Sequence, residues 1–147
     1  MDAFSAEIRK GTNMSTKISS DIEYENIIIN IKLRFPEIEI DEENYEIPYV
    51  AIGSFNKFVI DQFKNNNKEL IKKLFAYIEE LYISKSGKVR EFATIGILEG
   101  IQNMMGDNNL NTNEIERFLG IESKKWWIQL NKLWNKEIKY IGETINE

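Results

Sequence analysis

Hydrophobic residues recur every three or four positions along most of this chain, the spacing that places them on one face of an α-helix. Ser20 and Glu23 form a capping-box pattern before the first such stretch, and Pro36 stops it. Pro48 stands where a first-turn proline belongs, and the clearest amphipathic stretch begins at Lys68. The pattern predicts six helices, at about residues 21–34, 48–64, 68–83, 89–104, 113–119 and 124–142.

The fourth predicted helix is apolar on nearly every side, so we expect it at the centre of the fold. It contains Gly96 and Gly100, each of which costs about 1 kcal/mol relative to alanine in a helix interior. We therefore expect a close helix crossing there, where another backbone approaches. Alternation at Ile38 and Ile40 is too short to indicate a sheet. The sequence predicts an all-α fold of about six helices packed as antiparallel hairpins in a single domain.

The last predicted helix has a broad aromatic face that we expect to pack in the core. That face carries Trp127, Leu130, Trp134, Ile138 and Ile141. Trp126 and Trp127 also stand near three lysines, a mixture of aromatic and basic groups found in single-strand nucleic-acid binders. Tryptophans at helical spacing are more often core residues with a solvated basic flank, and we favour that interpretation.

The amino-acid composition excludes several kinds of catalytic and metal-binding chemistry for this protein. The 147 residues contain neither cysteine nor histidine, which excludes thiolate chemistry and removes the commonest general base and transition-metal ligand. We therefore predict a protein that is not an enzyme and that uses no cofactor or metal. The apolar runs fall far short of the roughly 20 residues that span a bilayer, and the N-terminus lacks a secretory signal pattern. We expect a cytoplasmic protein that does not enter membranes.

The first fourteen residues show no periodicity, and two interpretations of them stay open. They are either a mobile N-terminal tail, or a stretch upstream of the true start at Met14, since Arg9-Lys10-Gly11 can be encoded by a ribosome-binding sequence. Residues 15–147 are predicted to form the single helical domain.

Negative charge is concentrated in the first half of the chain. Residues 15–63 carry four basic and ten acidic side chains, whereas residues 64–147 carry thirteen and twelve. The segment between Pro36 and Pro48 has no basic residue, and it is either a solvated linker or a recognition loop for a basic partner. Its apolar members Ile38, Ile40, Tyr45 and Ile47 are candidate anchors. The predicted partner-binding residues are Glu37, Glu39, Asp41, Glu42, Glu43, Tyr45 and Glu46.

Other polar groupings give weaker indications. Glu91 and Glu99 lie on one side of the fourth helix and could do acid–base work, but the di-iron helical bundles need a histidine that this chain lacks. We expect Glu99 to be a buried acid with a hydrogen-bond partner. A calcium-loop pattern that begins at Asp107 fails at Thr112 and Phe118, where glycine and glutamate are required.

Two segments carry a resemblance to known proteins. Ala93–Asn103 and Phe118–Trp127, supported by Phe55, Phe58, Asp61, Ile78–Leu81 and Trp134, resemble a group of small bacterial helical proteins. The resemblance covers about residues 48–135, so the acidic segment precedes it. Some members of the group look like immunity proteins, which neutralise toxins delivered by neighbouring cells.

The resemblance implies tight binding to a cognate toxin domain, often a nuclease, with inhibition by covering its active site. The partner would then be a basic protein and not a nucleic acid. The carboxylates of the acidic segment would take the place of nucleic-acid phosphates in a basic cleft of that partner. The alternative is a helical adaptor or scaffold protein in a cytosolic assembly. Neither role requires catalysis.

Overall fold

A computed structural model describes residues 22–138 of the protein. Within this range about 73% of the residues are helical and there is no strand, which confirms the all-α prediction. The proposed tail at 1–14, Ser20 and Ile141 lie outside the described residues. Each helix in the described range is too short or too polar to cross a membrane.

Six helices form the described part of the chain. The fourth, α4, is continuous over residues 87–107, but its middle segment Phe92–Leu98 is a π-helix between α-helical ends at Gly87–Glu91 and Glu99–Asp107. Short 3-10 turns occur at Tyr24–Asn26 and Glu42–Asn44. The other helices are α1 Ile27–Arg34, α2 Pro48–Lys64, α3 Lys68–Tyr82, α5 Asn113–Glu116 and α6 Ile121–Trp134.

Three of the helices end in the same way. Asn66, Asn109 and Lys136 have left-handed φ angles of 55°, 57° and 61° immediately after α2, α4 and α6. In each case two backbone N–H groups turn back to the last carbonyls, as in a Schellman motif. For α6 these bonds run from Lys136 to Leu133 and from Glu137 to Lys132. The last helix therefore ends at Trp134, and its predicted continuation through residues 135–138 is wrong, while residues 139–142 lie outside the described residues.

Helix α4 is the centre of the fold, as its apolar sequence predicted. It packs against α2, α3 and α6, and Phe92, Ile97 and Leu98 are fully buried. The backbone approach predicted at its glycines is wrong, because the atoms closest to Gly96 and Gly100 belong to side chains. The Nδ2 group of Asn56 in α2 donates to the Gly96 carbonyl at 2.9 Å, and a Cβ on Gly100 would collide with that amide.

The π-helical segment is not visible in the sequence. Its hydrogen bonds span five residues, as from the Glu99 N–H to the Thr94 carbonyl, so the backbone is wider there than in an α-helix. The bond from Asn56 to Gly96 gives one carbonyl of this segment a partner on α2. Within residues 22–138, Asn56 Oδ1 and Trp127 Nε1 are buried polar atoms without a hydrogen bond.

Helix α6 begins at Ile121, before the predicted start at about residue 124, because a distant residue supplies its cap. Gly120 at the N-cap has no side chain to offer. The Glu79 carboxylate of α3 accepts from the Glu122 N–H at 2.9 Å, the Ser123 N–H at 3.0 Å and the Ser123 hydroxyl at 2.6 Å. A Cβ on residue 120 would collide with this carboxylate, so the site requires glycine.

The tryptophans of α6 divide between core and surface. Trp127 is fully buried with Leu130, and Ile138 is buried beyond the end of the helix, as predicted. Trp134 is 52% exposed, and the prediction that it lies in the core is wrong. It occupies the last helical position, where its indole N–H donates to Gln102 Oε1 at 3.0 Å while much of the ring faces solvent.

Candidate partner-binding surface

The acidic segment is fixed to the body of the domain by its two isoleucines. Ile38 and Ile40 are buried in the main hydrophobic core. The alternate residues Glu37, Glu39 and Asp41 are consequently exposed. Neither isoleucine is available as an anchor for a partner, so that part of the sequence interpretation is wrong. The same burial favours an ordered surface over a solvated linker.

Hydrogen bonds to backbone carbonyls hold two parts of the segment. The Lys32 ammonium group, at the end of α1, donates to the carbonyls of Pro36 at 2.8 Å and Ile38 at 2.5 Å. The following 3-10 turn is closed by bonds to the carbonyls of Asp41 and Glu42. Tyr45 is half-buried against the core. The chain therefore presents its carboxylates from a defined backbone.

The six carboxylates of this segment form what we call the acidic surface. All are exposed, and within residues 22–138 none makes an ion pair. The two nearest bases along the chain are engaged elsewhere, since Arg34 pairs with Glu80 and Lys32 points its ammonium group at carbonyls. Negative charge is therefore uncompensated over the acidic surface, which consists of Glu37, Glu39, Asp41, Glu42, Glu43 and Glu46.

Exposed apolar side chains follow the acidic surface directly. Ile47 is 49% exposed, Tyr49 47% and Val50 57%, and we call these three residues the apolar patch. Ile47 was expected as an anchor, whereas Tyr49 and Val50 were not among the predicted partner-binding residues. Helix α2 buries Ala51 and Ile52, whereas Tyr49 and Val50 in its first turn face solvent.

Tyr49 is held firmly although its outer edge is free. Its ring packs edge-on against Phe92 with centroids 5.0 Å apart and lies 6.5 Å from the ring of Tyr24. Burial, the nearby Glu91 carboxylate and Tyr24 raise the pKa of Tyr49 above its ordinary value. Its hydroxyl consequently stays protonated at neutral pH and can donate a hydrogen bond to a partner.

The other polar groupings do not form sites. Glu91 is exposed and Glu99 is half-buried, so the expected buried acid at Glu99 is wrong. In the part of the chain that the structure describes, no cluster of carboxylates could hold a metal ion. Asn109 closes the end of α4 through its left-handed conformation. Trp127 belongs to the core and Trp126 packs partly against it, in agreement with the core interpretation of these tryptophans.

Fold and surface together define a small all-α domain, built around a central π-containing helix, that presents one uncompensated acidic face. The chain belongs to the family of a domain of unknown function (DUF7674), whose model matches residues 28–135. The match starts earlier than the expected residue 48 and includes the acidic segment, which is thus part of the family domain. No curated protein and no solved structure shows significant similarity to the chain.

Proposed function

We propose that this protein acts by binding a basic protein partner through the acidic surface and the adjoining apolar patch. The supporting observation is the ordered backbone of residues 36–47, which holds six unpaired carboxylates outward while Ile38 and Ile40 are buried. A flexible acidic linker would have to lose conformational entropy on binding, whereas this surface is already ordered.

The combination of groups resembles the anatomy of a protein interface. Aromatic and aliphatic anchors provide most of the binding energy in such interfaces, and charged groups around them steer the encounter. Tyr49 is a rigid aromatic anchor with a free hydroxyl, and Ile47 and Val50 enlarge the apolar area beside it. The carboxylates would attract a partner that carries a basic cleft.

The specific role that we propose is that of an immunity protein, which neutralises a cognate bacterial toxin by covering its active site. A nuclease toxin fits best, because its cleft binds phosphates and an array of fixed carboxylates can occupy the same positions. This choice rests on the resemblance of residues 48–135 to a group of small helical proteins, some of which look like immunity proteins. Such a role needs no catalysis and no cofactor, and it places the protein in the cytoplasm of the producing cell.

Affinity capture from the source cells, followed by mass spectrometry, tests the proposal with three baits. The first is the wild-type protein, and the second carries Glu39→Lys, Glu42→Lys and Glu43→Lys. The third carries Asp107→Lys, Glu114→Lys and Glu137→Lys, which change the net charge equally at exposed positions outside the acidic surface. We expect the first and third baits to enrich one toxin-like protein and the second to lose it.

A functional assay then identifies the role. Adding the wild-type protein to the captured toxin should abolish its activity, and the variant at Glu39, Glu42 and Glu43 should inhibit poorly. Recovery of a housekeeping complex in place of a toxin would favour the helical adaptor. Equal recovery of all proteins by the three baits would remove the acidic surface as the binding site.

A further inference from the structure

A cleft of about 460 Å³ lies between α3 and the connection from α5 to α6. One wall is α3 itself, through Lys68, Lys72 and Ala76, and the other is the connection between α5 and α6, through Arg117 and Gly120. This volume lies within the range of roughly 300–1,000 Å³ that small-molecule sites occupy. None of its residues belongs to the acidic surface or the apolar patch.

The apolar part of the cleft is aromatic. Phe75 and Phe118 line it, and both pack against Phe63 beneath them. The ring centroids are 6.1 Å apart for Phe63 and Phe75, 5.7 Å for Phe63 and Phe118, and 6.3 Å for Phe75 and Phe118. Aromatic rings prefer tilted or edge-on neighbours at such distances. A flat ring could add to this cluster from the open side.

Three cations surround the aromatic rings. Lys68 and Lys72 are one helical turn apart on α3, and Arg117 faces them from the other wall with its guanidinium 5.5 Å from the Phe118 ring centroid. Lys72 lies 3.5 Å from Glu69, but both side chains are well exposed, so this pair holds the lysine weakly. Within residues 22–138 neither Lys68 nor Arg117 forms an ion pair.

The one acid that lines the cleft, Glu79, is already engaged. Its carboxylate caps α6 through two backbone N–H groups and the Ser123 hydroxyl. Burial alone would raise the pKa of Glu79, but these hydrogen bonds and the nearby Lys125 outweigh burial and lower the pKa. The ionised carboxylate is therefore held at the start of α6, and within residues 22–138 it forms no ion pair with Lys68, Lys72 or Arg117.

We infer that this cleft binds a small organic anion, consisting of a flat aromatic body with one carboxylate, phosphate or sulfonate group. The body would pack against the partly exposed ring of Phe118, with the buried ring of Phe75 behind it, and the acidic group would lie between Lys72 and Arg117. Charge-assisted hydrogen bonds from a guanidinium and an ammonium suit such a group. The inference is independent of the proposed partner binding, because it uses different residues on a different part of the surface.

Two fluorescent probes of nearly the same shape test the inference. Anilinonaphthalene sulfonate (ANS) carries the anion, and phenylnaphthylamine is its neutral counterpart. We expect one ANS molecule to bind per folded chain, more tightly than the neutral dye. Benzoate and phenyl phosphate should displace ANS, whereas benzyl alcohol should not, and their relative potency distinguishes a carboxylate from a phosphate site.

Single variants locate the site. Lys72→Gln and Arg117→Gln keep most of the aliphatic stem and should each weaken ANS binding about two- to fivefold, with little effect on the neutral dye. Lys73→Gln makes the same charge change on the adjacent position of α3, outside the cleft, and should leave both dyes unaffected. Near-ultraviolet circular dichroism confirms that each variant is folded, since loosely packed states also bind ANS.

Ala76→Phe provides a second, independent check, because it fills the cleft without removing a cation. Ala76 is exposed, so a larger side chain is tolerated, and we expect both dyes to lose affinity while Ala76→Ser retains it. The inference is overturned if Lys73→Gln affects ANS as much as Lys72→Gln and Arg117→Gln do. It is also overturned if Ala76→Phe leaves ANS binding unchanged, or if the neutral dye binds as tightly as ANS.

Discussion

Individual residues show how contacts distant in sequence complete local structure. Glu79 provides the N-cap of a helix that starts more than forty residues later, and Asn56 reaches from α2 to a carbonyl inside the π-helix. Both interactions need glycine opposite them, at residues 120 and 100 respectively. The side chains that approach Gly100 and Gly120 therefore explain why these two positions lack a side chain of their own.

Replacing Glu79 by glutamine should destabilise the fold by about 0.5–2 kcal/mol at neutral pH, near the lower end because the carboxylate is partly exposed. The folded state lowers the pKa of Glu79, so its carboxylate stabilises the protein above the unfolded pKa, and this contribution is lost as the pH falls through the folded pKa. Urea unfolding of both proteins between neutral and acidic pH should show the difference shrinking in acid.

The control for this measurement is Glu69→Gln, an exposed acid on the same helix that caps nothing outside it. It should change the free energy of unfolding by less than about 0.5 kcal/mol. A Glu79→Gln variant that unfolds like this control at neutral pH would contradict the capping role.

Gly100→Ala should destabilise the protein by about 1–3 kcal/mol, although alanine favours helices, because the new methyl group collides with Asn56. Gly106→Ala, near the end of the same helix with open space around the new methyl group, should be neutral or stabilising by up to about 1 kcal/mol. Thermal and urea unfolding of the two variants would measure the contrast.

A double variant distinguishes a steric effect from a general effect on the helix. Once Asn56→Ala has removed the obstacle, adding Gly100→Ala should cost little more. Additive costs in the two single variants and the double variant would count against the collision between these side chains.

At the scale of elements, the neighbouring helices decide which face of each helix is buried. Helix α4 was expected to be central, and α2, α3 and α6 do surround it. The face of α6 was harder to assign, since the helical period places Trp127 and Trp134 on the same side. Only the position of α6 against α4 shows that the first is covered while the second extends past the edge of the core.

The two tryptophans should consequently differ in their contribution to stability. Trp127→Ala should cost about 3–5 kcal/mol, since it leaves a large cavity in the core. Trp134→Ala loses a partly exposed ring and one hydrogen bond to Gln102, and should cost about 1 kcal/mol. Chemical unfolding of both variants measures the two losses in the free energy of unfolding. Equal losses would contradict the partly exposed position of Trp134.

At the scale of the whole molecule, charge is segregated. The acidic surface lies at the start of α2, and the cleft with its three cations lies between α3 and the α5–α6 connection. Both occur in a chain whose net charge is only −5, so the composition gives no indication of separate acidic and basic surfaces. Separate surfaces of opposite sign can serve two different ligands on one small domain.

For the proposed partner, the acidic surface should act mainly on the rate of association. Its charges act over about a Debye length of 8–10 Å and contribute less to residence time. Reversing Glu39, Glu42 and Glu43 to lysine should slow association without unfolding the protein. Surface plasmon resonance at several salt concentrations should show the wild-type rate falling with salt and the variant rate depending on salt much less.

The variant at Asp107, Glu114 and Glu137 controls for net charge in the same measurement. It should keep most of the wild-type association rate and salt dependence, because these residues lie outside the acidic surface. Identical rates and salt slopes for all three proteins would remove the acidic surface as the binding site.

The sequence by itself determined the class of fold, the main helices and the identity of the central one. These features follow from local rules, namely the period of apolar residues, proline positions and turn residues, which act between near neighbours along the chain. The acidic segment was also visible, because a run of like charge needs no folding to be recognised.

Only the tertiary structure decided which apolar residues of that segment are buried, how the π-helix obtains its hydrogen bonds, and where α6 begins. Ile38 and Ile47 look alike in the sequence, yet one lies in the core and the other faces solvent. The cap from Glu79, the bond from Asn56 and the cleft beside α3 all join residues far apart along the chain. Such contacts depend on how the helices pack, which a local pattern does not specify.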